Sequence, residues 1–436
     1  MSRIHIFAVA GHPVLHSKSP LLFHRAFQES KERAVYTRIS TEIAAEALSL
    51  FRDIGLSGMN VTAPLKQAII KNLDELDPSA AAIGAVNTVL REGGSLKGLN
   101  TDHLGVTASL KSLGIRLRDR RCLVLGAGGA GRAAAYGLVQ EGARVSLANR
   151  THSKALRAAQ DLKCRAVLLD DLPSLLDEVD IVVSALLSPI NLIRKEWLRP
   201  SHILLDANYP RSPLQALAQA RASTYIPGEA WLLNQALPAY KLFTGKEAER
   251  TIMAHALVSD VRSTASRNNI SLVGFMGCGK STVGRTLAKK LGYSFKDIDA
   301  VIERQEGKTI PEIFRLKGEQ VFRSLEKSAL SEIQQDRRTV YACGGGAVSD
   351  PDNRNTLRSN SCVIWLHAAL ESCLKRIDPH SRPLLDKEGR GEKPEDLFRK
   401  RLPFYAQAAE LVVSSEKTPE ETVGNIYEEI YHTLGD

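Results

Sequence analysis

Short β-branched apolar runs alternate along the chain with longer stretches of three-to-four-residue hydrophobic period. The runs Ile4–Ala10, Met59–Val61, Arg121–Leu125, Arg144–Ala148, Ile181–Ser184 and His202–Asp206 predict strands. Ile270–Val273, Val340–Cys343 and Cys362–Leu366 continue the series. Between them, Leu104–Leu113, Gly131–Gln140 and Ser281–Leu291 read as amphipathic helices. Strand and helix in alternation predict βαβ units and parallel sheets. The small, polar stretch Ser263–Asn269 separates two such series, and a softer break falls near Ser109–Arg120. A length of 436 residues exceeds what one core supports.

Charge and cysteine usage narrow the class. The chain carries 58 Lys plus Arg against 49 Asp plus Glu, a net +9. Residues 1–270 hold 33 basic and 24 acidic side chains, and the remainder holds 25 of each. The surplus suits small anionic ligands. No Lys/Arg block with interleaved aromatics is present, so a nucleic-acid partner is not expected. No apolar run reaches the ~18 residues of a membrane span, and Ile4–Ala10 reads as a first strand rather than a leader. Six dispersed cysteines without a CxxC pair predict reduced thiols and a cytoplasmic location.

Two glycine-rich motifs carry chemistry. Gly274-Phe-Met-Gly277-Cys278-Gly279-Lys280-Ser281-Thr282 follows a strand and opens a helix. This is the setting in which backbone N–H groups and a helix N-terminus cradle ATP phosphates. There Lys280 reaches the β- and γ-phosphates and the Ser281 hydroxyl binds Mg²⁺. Cys278 takes a place where a smaller residue is more usual. Asp297 and Asp299 stand two apart at the end of the next strand. They serve either as a pair facing Mg²⁺ and an acceptor hydroxyl or as a helix cap.

Gly126-Ala-Gly128-Gly129-Ala-Gly131 lies between the strand Arg121–Leu125 and an Ala-rich helix, the arrangement of a dinucleotide site. The following strand ends in Asn149-Arg150-Thr151, with Lys154 one turn on. Cations here, in place of an acidic residue, favour a 2′-phosphate and hence NADP(H). The alternative is a solvated helix-start cluster.

Beyond residue 269, four further stretches accompany the phosphate loop. They are Gly318-Glu-Gln-Val-Phe-Arg323, Gly344-Gly345-Gly346, Arg382-Pro-Leu-Leu385 and Arg401-Leu-Pro-Phe-Tyr405. With them, residues 270–436 resemble shikimate kinase. The resemblance implies that Asp299 activates the acceptor hydroxyl and that Asp297 supports Mg²⁺. It implies that Arg323 and Arg401 grip the shikimate carboxylate, with Gly344, Gly345 and Gly346 closing on the ring. Arg382, in the charged stretch Asp378–Pro394, would act on the phosphoryl group. That stretch is either a lid or a solvated connector.

The earlier residues include Ser17-Lys-Ser19, Asn60-Val-Thr62-Ala-Pro-Leu-Lys66, Ala85-Val-Asn87, Asn100-Thr-Asp102 and Asp206-Ala-Asn-Tyr209. With these, residues 3–262 resemble shikimate dehydrogenase. By that resemblance Lys66 and Asp102 form the catalytic pair, and Ser17, Ser19, Thr62, Asn87, Asp102, Tyr209 and Gln235 surround the substrate, with Gly228 on the cofactor side. His103, Ser184 and Ala230 depart from the family pattern, the last two on the cofactor side.

The expected fold is α/β. A substrate domain (residues 1–110, completed by 228–262) precedes a Rossmann-type NADP domain (111–262). A linker (263–269) leads to a P-loop kinase domain with a parallel sheet (270–436). The expected activities are reduction of 3-dehydroshikimate with NADPH and phosphorylation of shikimate with Mg²⁺ and ATP. A kinase carrying a degenerate, shikimate-binding dehydrogenase half is the alternative.

Overall fold

The computed structural model describes residues 4–186, 191–209, 212–258, 268–377 and 393–434. The chain forms two compact units. One contains residues 1–20, 33–56 and 260–436, and the other contains residues 21–32 and 57–259.

The first unit is built on a run of parallel strands. Their order is Ser294–Asp297, Thr339–Ala342, Asn269–Val273, Ser361–His367, Leu411–Ser414, Ala34–Ser40 and His5–Gly11. Every adjacent pair is parallel. Asn269–Val273 and Ser361–His367 are buried along their whole length, as befits strands covered on both faces. The strand Leu411–Ser414 pairs with Ala34–Ser40, with Val412 opposite Ile39 and Val413 opposite Ser40. The first strands of the chain therefore extend the kinase-type sheet rather than standing apart from it.

The second unit holds a six-stranded parallel sheet. Its order is Thr224–Ile226, Ile203–Asp206, Ile181–Ser184, Arg121–Leu125, Arg144–Ala148, Arg165–Val167. The strand preceding the Gly126–Gly131 turn neighbours Ile181–Ser184. This is the switch point at which doubly wound sheets open a crevice for a dinucleotide. Apolar clusters cover both sheet faces, one around Val124, Leu138 and Trp231 and the other around Leu123, Val182 and Leu204. A smaller group of strands, Gly58–Val61, Thr88–Glu92, Ser95–Leu99 and Glu75–Leu76, carries the loops of the substrate side.

The predicted strands are all present. Two helices begin two residues before their predicted starts, at Asp102 and Gly129. Apolar periodicity does not register a polar or glycine first turn. The first of them ends at Lys111, before Gly114, which adopts φ +75°. All six cysteines are free thiols, five of them buried. Among the described residues, no helix is long and apolar enough to cross a membrane.

Candidate active sites

In the second unit, the short helix Leu65–Ala68 presents Lys66, and the helix Asp102–Lys111 begins with Asp102. Lys66 Nζ donates to Asp102 Oδ2 at 2.7 Å, with the side chains 16% and 7% exposed. Little water surrounds the contact, so the charge-assisted bond is only weakly screened.

Asp102 is fixed at every polar atom. Asn87 Nδ2 donates to Oδ1 at 3.0 Å, the Asp102 N–H donates to Asn100 Oδ1 at 3.0 Å, and Trp231 Nε1 donates to the Asp102 carbonyl at 3.0 Å. Asn87 also donates to Thr101 Oγ1 and to Gln235 Oε1, at 2.9 and 3.2 Å. Its own oxygen accepts the Thr101 N–H at 2.8 Å. Gln235 and Trp231 are one turn apart on the helix Gly228–Thr244 and so address the same face. Asn60, on the preceding strand, donates to the Asn87 carbonyl and to Thr88 Oγ1. Thr62 is half-buried just after that strand, and its backbone carbonyl accepts the Leu65 N–H that starts the Lys66 helix. Tyr209 is half-buried three residues past the strand Ile203–Asp206.

The glycine turn approaches this pair closely. A Cβ on Gly129 would lie 2.7 Å from the Lys66 Cβ. Gly131 has no room for a side chain against the Gly126 carbonyl, and Gly126 itself adopts φ +105°. A Cβ on Gly128 would meet nothing within 4 Å, so the turn presents bare backbone to open space there. Asn149 Oδ1 accepts the Ala127 N–H at 3.1 Å and so braces the turn from the end of the next strand. Arg150, Thr151 and Lys154 are exposed beside it, and neither cation forms an ion pair among the described residues. Glycine at 228 lets its helix start against the Ala207 and Asn208 carbonyls.

In the first unit the phosphate-loop glycines Gly274, Gly277 and Gly279 adopt φ +144°, +80° and +89°. The helix Lys280–Leu291 follows directly. Lys280 Nζ donates to the Gly274 and Phe275 carbonyls, both at 2.9 Å, at the mouth of the loop. The Ser281 hydroxyl donates to Asp297 Oδ2 at 2.6 Å, while Asp297 Oδ1 accepts the Asp299 N–H at 3.1 Å. Asp297 thus caps the helix Ile298–Glu306 and also holds the Ser281 hydroxyl. Thr282 is exposed beside Ser281, and Cys278 is a buried filler with its sulfur 3.7 Å from Lys280 Nζ.

The Gly344–Gly346 turn gathers the remaining groups. A Cβ on Gly344 would collide with the Glu326 carboxylate and lie 2.9 Å from Asp299 Oδ1. One on Gly346 would meet the Arg323 guanidinium at 2.6 Å. Buried Arg401 donates to the Gly345 carbonyl at 3.2 Å, and the Tyr405 hydroxyl donates to the same oxygen at 2.5 Å. Arg323 Nη1 donates to Glu326 Oε2 at 2.8 Å. Burial pushes the Glu326 carboxyl up, Arg323 opposes this, and Asp299 adds to it; the net direction is upward. The candidate Arg382 and residues 378–392 lie outside the described residues, as does most of the expected linker.

Comparison with known proteins separates the two sets of residues. A family model described as shikimate kinase matches residues 276–431. Models described as the shikimate dehydrogenase substrate binding domain and as shikimate/quinate 5-dehydrogenase match residues 9–89 and 108–221. The NADP(+) shikimate dehydrogenase of Aquifex aeolicus is 34% identical over 264 residues, 59% of this chain and 97% of that protein. The shikimate kinase of Persephonella marina is 45% identical over 159 residues, 36% of this chain and 96% of that protein.

The chain belongs to the shikimate dehydrogenase and shikimate kinase families. It is a bifunctional enzyme of the shikimate pathway. The crystal structure of the Aquifex dehydrogenase superposes with a TM-score of 0.56 at 32% identity, covering 59% of this chain and 99% of that one. A Thermus thermophilus shikimate dehydrogenase in complex with NADP(H) and shikimate gives a TM-score of 0.52 at 34% identity, covering 58% and 98%.

The dehydrogenase departures have structural occupations here. His103 packs edge-on against Tyr136, its Nδ1 buried without a hydrogen-bond partner among the described residues, and burial lowers its pKa, so the ring stays neutral. Ser184 is buried at its strand end, and its carbonyl accepts the Ala207 N–H. Ala230 packs against the apolar cluster around Trp231. Trp231, part of the same departure, secures the Asp102 carbonyl. Asn60, Thr101 and Glu326 were given no role from the sequence. Only the Arg323–Glu326 spacing, three apart on a helix, offered a signal.

Proposed function

We propose that the dehydrogenase half, residues 1–262, reduces 3-dehydroshikimate to shikimate with NADPH. In the same reading the kinase half, residues 270–436, phosphorylates the 3-hydroxyl of that product with ATP. The Lys66–Asp102 contact at 2.7 Å, inside a fully bonded polar network, is the observation that carries the first half. A module that only binds shikimate needs no proton donor, so this pair favours a working dehydrogenase over a regulatory one. When bound, NADPH supplies the hydride and Mg²⁺-ATP the phosphoryl group. Lys66 then gives a proton to the substrate carbonyl oxygen, and Asp102 fixes the ammonium in place. Ser17, Ser19, Thr62, Asn87, Tyr209 and Gln235 hold the hydroxyls and the carboxylate.

The bare-backbone turn at Gly126, Gly128, Gly129 and Gly131 fits a pyrophosphate, braced by Asn149 and Thr151, with Gly228 beside it. In the kinase half, Asp299 accepts the proton of the attacking hydroxyl, while Arg323 and Arg401 orient the substrate carboxylate at Gly344–Gly346. Lys280 and the backbone of Gly277, Cys278, Gly279 and Thr282 hold phosphate. A hydroxyl and a carboxylate 2.6 Å apart at Ser281 and Asp297 suit an ion as hard as Mg²⁺. Arg382 completes the charge around the phosphoryl group. Six cysteines without a disulfide among them fit a cytoplasmic setting.

Purified protein given 3-dehydroshikimate, NADPH and Mg²⁺-ATP should oxidise NADPH and accumulate shikimate 3-phosphate. Phosphorylation of added shikimate without any NADPH oxidation would leave the dehydrogenase half as a binding module. Arg150, exposed beside the glycine turn and without an ion pair among the described residues, is suited to a 2′-phosphate. Arg150→Ala should raise the KM for NADPH by about tenfold while leaving that for NADH near its starting value. Equal loss for both cofactors would remove Arg150 from phosphate recognition.

A further inference from the structure

Glu429 lies on the C-terminal helix Pro419–Leu434 of the kinase half and is fully buried. A carboxylate withdrawn from water is costly unless hydrogen bonds replace its hydration. Here the replacements to its side chain come from the other end of the chain. Val14 N–H donates to both oxygens, at 3.0 and 2.9 Å, and Leu15 N–H donates to Oε2 at 2.8 Å. The Ser40 hydroxyl donates to Oε1 at 2.5 Å, and His12 Nδ1 lies 3.2 Å from the same oxygen.

Burial raises the Glu429 carboxyl, but the bonds from His12, Ser40, Leu15 and Val14 outweigh it, and the group stays ionised. His12 responds in kind. Its bond to Glu429 lifts it against the effect of burial, its contact with Glu428 adds to the lift, and its pKa rises to about 9. The donors His12, Val14, Leu15 and Ser40 all belong to dehydrogenase sequence.

The segment so gripped leads directly to Ser17 and Ser19. Ser17 N–H closes a turn onto the Val14 carbonyl at 3.0 Å. The Ser17 carbonyl accepts two bonds from the Arg38 guanidinium, at 3.1 and 2.7 Å, and Arg38 Nη1 in turn donates to the kinase Glu410 carbonyl at 3.2 Å. The Ser17 and Ser19 hydroxyls are 3.3 Å apart and both residues are buried. The loop is therefore tied to the kinase half at its start and again at Ser17.

We propose that Glu429, a residue of the kinase half, is a positioning residue for the dehydrogenase reaction: it fixes the Val14–Leu15 backbone so that Ser17 and Ser19 are set for shikimate. The inference rests on the assignment of Ser17 and Ser19 to substrate binding. Pre-set hydroxyls spare the substrate the cost of ordering the loop.

The test is steady-state kinetics of both activities on the full chain, in the direction of shikimate oxidation. Glu429→Ala should raise the dehydrogenase KM for shikimate about tenfold, with kcat and the KM for NADP⁺ within about twofold of wild type. Kinase constants for shikimate and ATP should not move, and they report folding of the helix that carries the substitution. Glu429→Gln keeps one acceptor oxygen for the Val14 and Leu15 N–H groups, so its KM should fall between wild type and alanine. An unchanged KM for shikimate in both variants would overturn the proposal. So would a parallel rise in the KM for NADP⁺, the mark of a merely structural loss. Ser17→Ala and Ser19→Ala separate the underlying assignment from the proposal. If neither raises the KM for shikimate, the assignment itself fails, whatever Glu429 does.

Discussion

Lys66→Ala should lower the rate of 3-dehydroshikimate reduction by about 10²–10⁴-fold, the usual value of a positioned proton donor. The ammonium is 2.7 Å from Asp102 and largely shielded, so no other described cation stands in its place. Asp102 would keep the bonds it accepts from Asn87 and Trp231 and the one it donates to Asn100, so the substrate-binding framework should survive the loss. The defect should therefore appear mainly in kcat, with the KM for 3-dehydroshikimate changed far less. Phosphorylation of added shikimate by the same sample should stay at the wild-type rate, because Lys66 and the phosphate loop belong to different compact units. Measuring NADPH oxidation and phosphorylation side by side decides the matter. Loss of both activities in a folded protein would contradict two independent sites. Unaltered reduction would remove Lys66 from proton transfer.

The parts of these sites that were legible in the sequence are those written locally. A glycine turn between a strand and a helix needs only its own neighbours, and both such turns are found where the residues indicated. Asp297 ends a strand as expected, but Asp299 lies in the first turn of the helix Ile298–Glu306, so the two carboxylates do not share a strand face: the Asp297 cap starts the helix one residue after the strand stops. What escaped is set by packing between distant segments. The runs Ala34–Ser40 and Leu411–Ser414 each present buried side chains, yet nothing in either names the other as its partner. Hydrophobic period fixes which face of a strand is buried, not which edge it pairs with. The Trp231 indole was read as part of a departure from family pattern; its role came from a helix 129 residues away whose first carbonyl it bonds. Glu429 gave no signal at all. A glutamate in an amphipathic C-terminal helix reads as solvated until its partners at residues 12–40 are known.

Asp299→Asn should abolish most phosphorylation, lowering kcat by about 10²–10⁴-fold, and leave reduction intact. Asparagine preserves the size of the side chain but cannot take up the proton of the attacking hydroxyl. Charge alone is not the only requirement at this place, because Asp299 and Glu326 converge on Gly344. Glu326 is buried, its carboxyl raised by that burial, restrained by its bond to Arg323 and raised further by Asp299, so the arrangement depends on the Arg323–Glu326 pair staying in place. Gly344→Ala tests the geometry without changing any charge. Its methyl group would press on the Glu326 carboxylate and stand 2.9 Å from Asp299 Oδ1, so the turn must move and carry Gly345 away from Arg401. Its loss should therefore include a higher KM for shikimate, whereas Asp299→Asn should act mainly on kcat. The reductase activity of both variants serves as the internal measure of folding. Full phosphorylation by Asp299→Asn under saturating shikimate and ATP would assign the proton acceptor elsewhere. An unaffected Gly344→Ala would show that the turn does not hold the two carboxyls in place.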